Sequence, residues 1–508
     1  MWINILLLAP LLIALACFVA ARINSQNLST SLHITGLILT ALFSLKLGAD
    51  VLSQGALSTE GHWFYVDSLS AIFVGIIGIV GLLAGLYSIG YMKKELELGE
   101  FNEQQYGNYY GFFHLFFFTM LLSVMTNNIV VMWVGIEATT LSSAFLVGAY
   151  GKRTSLEAAW KYIIICSVGV AFGLYGTLLV FADASNILAD PEQAIFWTKI
   201  NENATALDPH LIHLAFIFIL IGFGTKCGLF PMHTWLPDAH SEAPSPVSAI
   251  LSGILLNCAM LVVLRYYILT NKAVGPEFAQ NLLLIFGIIS VAIAALFIIA
   301  QRDIKRLLAY SSIENMGLIA VGFGIGGPLG VFAGLLHTIN HSLAKTLLFC
   351  ASGNILVKYH SRDMQDIKGL WKTMPITAVL FAGGALALSG VPPFNLFISE
   401  LALVTAGITT GHIGLMIFCL ILLTIVLAAL AKMVLNTVLG EKPEHIETGE
   451  FSIITIVPMA ALLGLMLMFG LYLCEPILQL LTSAVNIVLG QNNATLTDAL
   501  LPWLPLNQ

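Results

Sequence analysis

Apolar runs of roughly 18 or more residues, each closed by polar, glycine or proline punctuation, recur along the whole chain, and runs of that length are transmembrane helix candidates. About fourteen are readable: 2–20, 29–49, 66–90, 110–126, 128–150, 158–181, 210–231, 246–269, 280–300, 306–325, 328–356, 375–404, 409–438 and 452–474. The pattern predicts an all-α polytopic membrane protein. The segment 485–508 reads as a short mixed tail, not a span. No Lys or Arg precedes the first run and Arg22 follows it, the reverse of a secretory signal, so the first helix is expected to stay uncleaved with its N-terminus outside.

Orientation follows from the basic residues. With an outside start, the odd-to-even connections carry Arg22, Lys93, Lys94, Lys152, Arg153, Arg302, Lys305, Arg306, Lys358, Arg362, Lys368, Lys372 and Lys442, and Lys161, at the start of its span, belongs with them. The opposite connections carry Lys199, Lys272 and, near helix ends, Lys46 and Arg265. The first set is therefore expected to be cytoplasmic, with both termini outside.

Composition narrows the function classes. Of 508 residues, 58% are hydrophobic and 10% charged, with a mean hydropathy of +0.91. A soluble fold of this length would carry roughly a quarter charged residues. The net charge of -7 is spread over loops and argues for no nucleic-acid partner. The seven cysteines all fall in apolar segments without a C-x-x-C pair, so they read as small buried hydrophobes. Neither a nucleotide fingerprint nor metal-ligand spacing is present, so no cofactor is expected in this chain.

A few charges remain at membrane depth. They are Glu137 in MWVGIEATTLSS, Lys226 in GFGTKCGLFPMHTW, His337, His341 and Lys345 in LLHTINHSLAKTLLF, Glu400 in PPFNLFISEL and Lys432 in LAALAKMVL. Glu314 is set aside as close to the cytoplasmic interface. Each central charge left unpaired would cost about 2.5–3.5 kcal/mol, so these groups should face the bundle interior, water or one another. His337, His341 and Lys345 are spaced i, i+4, i+8 and stack on one helical face, a ladder that a proton could climb. The plainer alternatives are hydrogen-bonded core histidines with a snorkelling lysine, or a metal site that has no carboxylate or thiol nearby in sequence. A Glu137–Lys226 pair would hold both groups charged, and separating them would favour their neutral forms and so move protons; a fixed ion pair locking two helices is the alternative.

Pro231 and the Pro392-Pro393 pair break their helices beside Lys226 and Glu400. Proline removes a backbone donor, and freed carbonyls at membrane depth survive only where they face protein or water. Broken helices in transporters mark ion sites for this reason, although a simple packing kink would also use proline.

At these residues the chain resembles a known family. KCGLFPMHTWLPDAHSEAPSPVSAILSG, QRDIKRLLAYSSIENMGLI and HTINHSLAKTLLFCASGNI resemble the antiporter-like subunits of respiratory complex I and the Mrp cation/proton antiporters, over about 66–432. YGFFHLFFFTMLLSVMTNNIVVMW and IEATTLSSAFLVGAYGKRTSLEAAWKYIIIC look closest to the F component of hydrogenase-four, formate hydrogenlyase-type complexes. The resemblance implies fourteen helices with broken helices 7 and 12, and two inverted five-helix repeats. The implied units are 1–109 (helices 1–3), 110–270 and 271–440 (the repeats), and 441–508 (helix 14 and tail). It matches Glu137 to an ion-pairing glutamate, Lys226 to a broken-helix lysine, His337, His341 and Lys345 to a central axis, and Glu400 to a terminal residue. Many relatives carry a lysine where this chain has Asn257, which can orient water but cannot carry a proton at physiological pH.

The resulting expectation is a proton-translocating subunit of a redox-driven hydrogenase complex in a bacterial cytoplasmic membrane. Other membrane subunits and a peripheral hydrogenase arm would be its partners, and the redox chemistry would lie outside this chain. The alternatives are a subunit of an NADH:quinone oxidoreductase, a sodium/proton antiporter of the Mrp type, a catalytic quinone or hydrogenase subunit, and a passive assembly scaffold.

Overall fold

The computed structural model describes residues 2–490. Of the expected tail 485–508, the part after 490 lies outside the described residues, as does the C-terminus itself. The helices, in chain order, are α1 (Trp2–Arg22), α2 (Gln26–Gln54), α3 (Ser68–Glu97), α4 (Glu103–Met125), α5 (Ile129–Val147) and α6 (Arg153–Ile187). Next come α7 (Pro209–Cys227) and α8 (Trp235–Glu242), then α9 (Ser245–Val274), α10 (Pro276–Ile298), α11 (Ile304–Ile325) and α12 (Gly327–Tyr359). The series ends with α13 (Pro375–Leu388), α14 (Asn395–Thr409), α15 (Ile413–Val438), α16 (Ile453–Leu471) and α17 (Glu475–Leu489).

Twelve spans are long and apolar enough to cross a membrane, with α7 and α8 counted as one. Two more complete the expected fourteen: α12, whose buried histidines, asparagines and lysine lower its hydropathy, and the pair α13–α14, whose halves are individually short. The chain is an all-α, multi-pass integral membrane protein, with breaks in the seventh and twelfth spans as the prolines required.

Local sequence explains where the helices begin. Asn102 and Gln105 form a reciprocal capping box at the start of α4, and Asn128 accepts from the backbone of Val130 and Val131 to start α5. Asp208 caps α7 ahead of Pro209, and Asp303 caps α11.

The two ends of the bundle are tied differently. At one end, β1 (Leu57–Ser58) pairs antiparallel with β2 (Tyr65–Val66). Beside it Arg265 of α9 makes a bidentate ion pair with Asp67 at 2.7 and 2.8 Å and lies 4.5 Å from the Trp197 ring centre. Arg265, expected near a helix end, is buried there: its side chain is 4% exposed. At the end carrying most lysines and arginines, Arg362 pairs with Glu242 and Arg306 with Asp238, both at 2.8 Å.

Candidate functional site

The first break is built around Lys226, in the last turn of α7. Gly228 ends the helix in a left-handed conformation (φ +75°), which a side chain would strain, and Pro231 lies in the linker to α8. The carbonyl of Thr225, in the last turn before the break, accepts from the Gly228 amide at 3.1 Å and from the indole of Trp235 at 2.9 Å, and the amide of Phe230 donates to Ser290 at 2.9 Å. The interrupted backbone is thereby satisfied inside the protein.

Lys226 is fully buried. Its ammonium donates to the Tyr162 hydroxyl at 2.6 Å and to Thr140 at 2.8 Å, and lies 4.5 Å from the centre of the Tyr162 ring. Tyr162 in turn contacts Ser143 at 2.6 Å. Glu137 sits one turn before Thr140 on α5 but does not meet Lys226. One carboxylate oxygen accepts from Ser167 at 2.6 Å, while the other is buried without a partner among the described residues. The two charges are therefore separated, with hydroxyls filling the place expected of a direct ion pair.

The polar face of α12 forms the second part of the site. His337 lies 3.0 Å from Ser399 of α14 and 3.1 Å from the Asn315 side-chain oxygen on α11. Asn340 donates to the Asn395 carbonyl at 2.9 Å and receives the Asn395 amide at 2.9 Å. These contacts fasten the second half of the broken twelfth span to the histidine helix. Lys345 donates to the Ser311 hydroxyl and, at 3.2 Å, to the carbonyl of Leu308. His341 is buried with neither ring nitrogen partnered among the described residues, and so is His240 of α8. His240 lies within electrostatic reach of both His341 and Lys345. Buried polar atoms without protein partners call for bound water.

Asn257 joins this face. Its amide donates to Ser342 of α12 at 2.8 Å and to the carbonyl of Gly253 at 3.0 Å, and its side-chain oxygen has no protein partner among the described residues. It follows directly on a π-helical turn over Leu251–Leu255, a local widening often found at functional positions.

Two sequence expectations change. Glu314, set aside above, is 2% exposed and midway along α11, so it joins the buried groups. It accepts from Asn315 and interacts electrostatically with Lys345 and Glu400. Lys432, expected inside, is on an exposed side of α15 with no hydrogen bond or ion pair among the described residues. Depth was readable from its position in the span, but the face was not. Glu400 is half-buried against Gly390 (φ +64°), in the break, and Pro392 and Pro393 are exposed there. All seven cysteines are free thiols, six of them buried.

Fold and site together define a polytopic membrane protein in which two discontinuous helices flank a buried polar axis. The transmembrane family described as "NADH:quinone oxidoreductase/Mrp antiporter, TM" matches residues 126–428, and the N-terminus of complex I chain 5 matches 62–102. The chain belongs to this family. It is 43% identical over 347 residues to the hydrogenase-4 component F homolog of Methylacidiphilum infernorum (isolate V4), covering 68% of this chain and 73% of that protein. It is 34% identical over 348 residues to hydrogenase-4 component B of Escherichia coli (strain K12), covering 66% of this chain and 49% of that one, so it spans about half the length of that relative. A chain of the membrane-bound sulfane sulfur reductase, an archaeal respiratory membrane complex, superposes with a TM-score of 0.85 over 96% of this chain and 97% of the other. At 24% identity that likeness bears on the fold alone.

Proposed function

We propose that the chain is a proton-translocating subunit of a redox-driven, membrane-bound hydrogenase complex of the formate hydrogenlyase type. It would move protons along the buried side chains of α7, α8, α9, α11, α12 and α14. The single observation that carries this reading is the set of buried titratable groups inside the bundle – Lys226, His240, Glu314, His337, His341 and Lys345 – with Lys226, His337 and Lys345 held by hydroxyl and amide side chains. Buried ionisable groups in a bilayer are expensive, and a purely structural bundle would not retain six of them.

In this reading Lys226 is the input switch. Its ammonium rests on two neutral hydroxyls, which hold it in place without neutralising its charge. Moving it toward or away from Glu137 changes the field along the axis, because an opposite charge stabilises each charged form. Protons then redistribute past His240 and His341 to Lys345, Glu314 and His337, and exchange near Glu400. Partner subunits would supply the electron transfer that drives the switch. The similarity to a hydrogenase-4 component favours this driver over NADH oxidation.

Proton uptake into inverted membrane vesicles, with assembly followed on native gels, tests the reading. Lys345→Ala should assemble normally and fail to pump; uptake at the wild-type rate would end it. Sodium separates the antiporter alternative. Sodium prefers clustered oxygen ligands, and this axis is built mainly from histidine and lysine. Uptake by the reconstituted complex should therefore need no sodium, and a strict sodium requirement would favour Mrp-type antiport.

A further inference from the structure

Helices α2, α3 and α4 lie outside the axis described above, yet they enclose a histidine pair. His33 of α2 and His114 of α4 are fully buried, with His33 Nδ1 2.9 Å from His114 Nε2. A separation of 2.9 Å requires one shared hydrogen. It is too short for a metal ion bound at about 2.0–2.1 Å by both nitrogens unless the two sit on one side of it, and no third ligand group is clustered there among the described residues.

The hydrogens of the pair can be assigned. His33 Nε2 is 3.1 Å from the carbonyl of Gly85, which only accepts, and 3.2 Å from Ser88 Oγ, whose own hydrogen goes to the same carbonyl at 2.7 Å. Nε2 therefore carries a hydrogen. In the neutral pair Nδ1 of His33 accepts the Nε2 hydrogen of His114. His114 Nδ1 is left as a lone pair, buried and without a donor among the described residues.

A polar column leads from this pair toward the basic end of the bundle. Tyr106, Tyr110 and His114 are spaced i, i+4, i+8 on α4 and share one face. The Tyr110 ring stacks on His33 at 4.0 Å, and its hydroxyl lies 3.5 Å from the Ser88 carbonyl and 3.4 Å from the Tyr106 hydroxyl. Tyr106 reaches Thr30, in the second turn of α2, at 2.8 Å. Phe113, Phe117 and Gly36 also lie against the pair, and among the described residues no charged group is paired with it.

We propose that His33 and His114 form a second proton-binding site, approached from the basic face alongside Tyr110 and Tyr106 and separate from the main axis. A proton added at His114 Nδ1 makes an imidazolium–imidazole pair. Its charge crosses the shared hydrogen bond as the Nε2 hydrogen of His114 passes to His33 Nδ1. The Nε2 hydrogen of His33 stays donated to the Gly85 carbonyl, and the pair returns to neutral by releasing a proton at His114 Nδ1, so one proton is taken up and one given back. This inference rests on the reading of the chain as a proton carrier, but its test does not depend on pumping.

Exchange of the carbon-bound Cε1 hydrogen of histidine with deuterated water, resolved peptide by peptide by mass spectrometry on the intact complex in membranes, reports whether each ring meets water and titrates. His33 and His114 should exchange with a sigmoidal dependence on pH, with exposed His62 as the reference. The double variant Tyr106→Phe/Tyr110→Phe should lose that exchange while assembling normally, and Lys226→Ala should keep it. No exchange at either ring in the wild-type complex would identify a dry structural pair and overturn the proposal. Exchange unaffected by the double variant would overturn the tyrosine route. Loss of pumping in Lys226→Ala with exchange intact would support both readings, and retained pumping there would count against the main axis alone.

Discussion

The side-chain amide of Asn257 lies 2.8 Å from the Ser342 hydroxyl, joining the helix that follows the first break to the helix that carries the histidines. Ser342 also donates to the Thr338 carbonyl at 2.8 Å, so it keeps its own donor bond if Asn257 is removed. Asn257→Leu should therefore destabilise by only about 1 kcal/mol, the net value of one hydrogen bond. It should nevertheless lower proton uptake, because the group that orients water at this point is gone. Asn257→Lys should assemble and pump if the unpartnered side-chain oxygen marks a hydrated site. A dry interface would reverse the order, since lysine would then carry about 2.5–3.5 kcal/mol. Uptake and assembled amounts of both variants decide between the two.

The Lys226 cluster gives a graded series. Lys226→Ala and Glu137→Gln should each abolish uptake while the complex assembles. Tyr162→Phe retains the ring 4.5 Å from the ammonium and removes only the hydroxyl at 2.6 Å. Uptake should fall about ten- to a hundredfold, in line with a hydrogen bond to a charged group worth about 1.5–3 kcal/mol. Initial rates in inverted vesicles measure it, and wild-type rates in all three variants would remove the switch.

The Asp67–Arg265 pair should behave oppositely. Both side chains are buried and joined by two short hydrogen bonds, far from the α12 face in sequence and bound instead to Trp197 and Ser70. Removing one partner leaves a buried charge uncompensated, which costs about 3–5 kcal/mol. Asp67→Asn should lower the melting temperature of the purified complex and its assembled amount, with uptake per assembled complex unchanged. The double variant Asp67→Leu/Arg265→Met should recover most of the lost stability. A fall in specific uptake would instead place the pair on the proton route.

How much of this was readable in the sequence depends on which physical signal each residue leaves. The broken spans were legible because Pro231, Pro392 and Pro393 interrupt apolar runs beside charges. The histidine ladder was legible because helical spacing alone puts 337, 341 and 345 on one face. Lys432 was not, because lipid and protein interior both accept apolar side chains, so an all-apolar helix carries little record of which side is inside. The Asp67–Arg265 contact joins residues 198 positions apart, beyond any local pattern. Glu137 and Lys226 were readable as charges within apolar runs, but whether their ends touch depends on side-chain rotamers and on the hydroxyls between them. Glu314 was set aside because its position along the span left it within reach of the cytoplasmic end. Packing of α11 against α10 and α12 buries it regardless.

Glu314 and Lys432 together give the sharpest test of the corrected site. Glu314 lies between Lys345 and Glu400 in its electrostatic contacts and receives the amide of Asn315, which also holds His337. Glu314→Gln preserves shape and hydrogen bonding to Asn315 but cannot take up a proton or carry charge. If the axis passes this carboxylate, uptake should collapse while assembly and melting temperature change little, because a neutral amide is easier to bury than a carboxylate. Lys432→Ala removes a charge from an exposed position with no partner inside the chain, so it should leave the proton route intact. At most it should weaken association with a neighbouring subunit, read on native gels as a smaller complex. A pumping Glu314→Gln variant alongside a silent, fully assembled Lys432→Ala variant would show that the exposed lysine belongs to the route and the buried glutamate does not, and the corrected axis would fail.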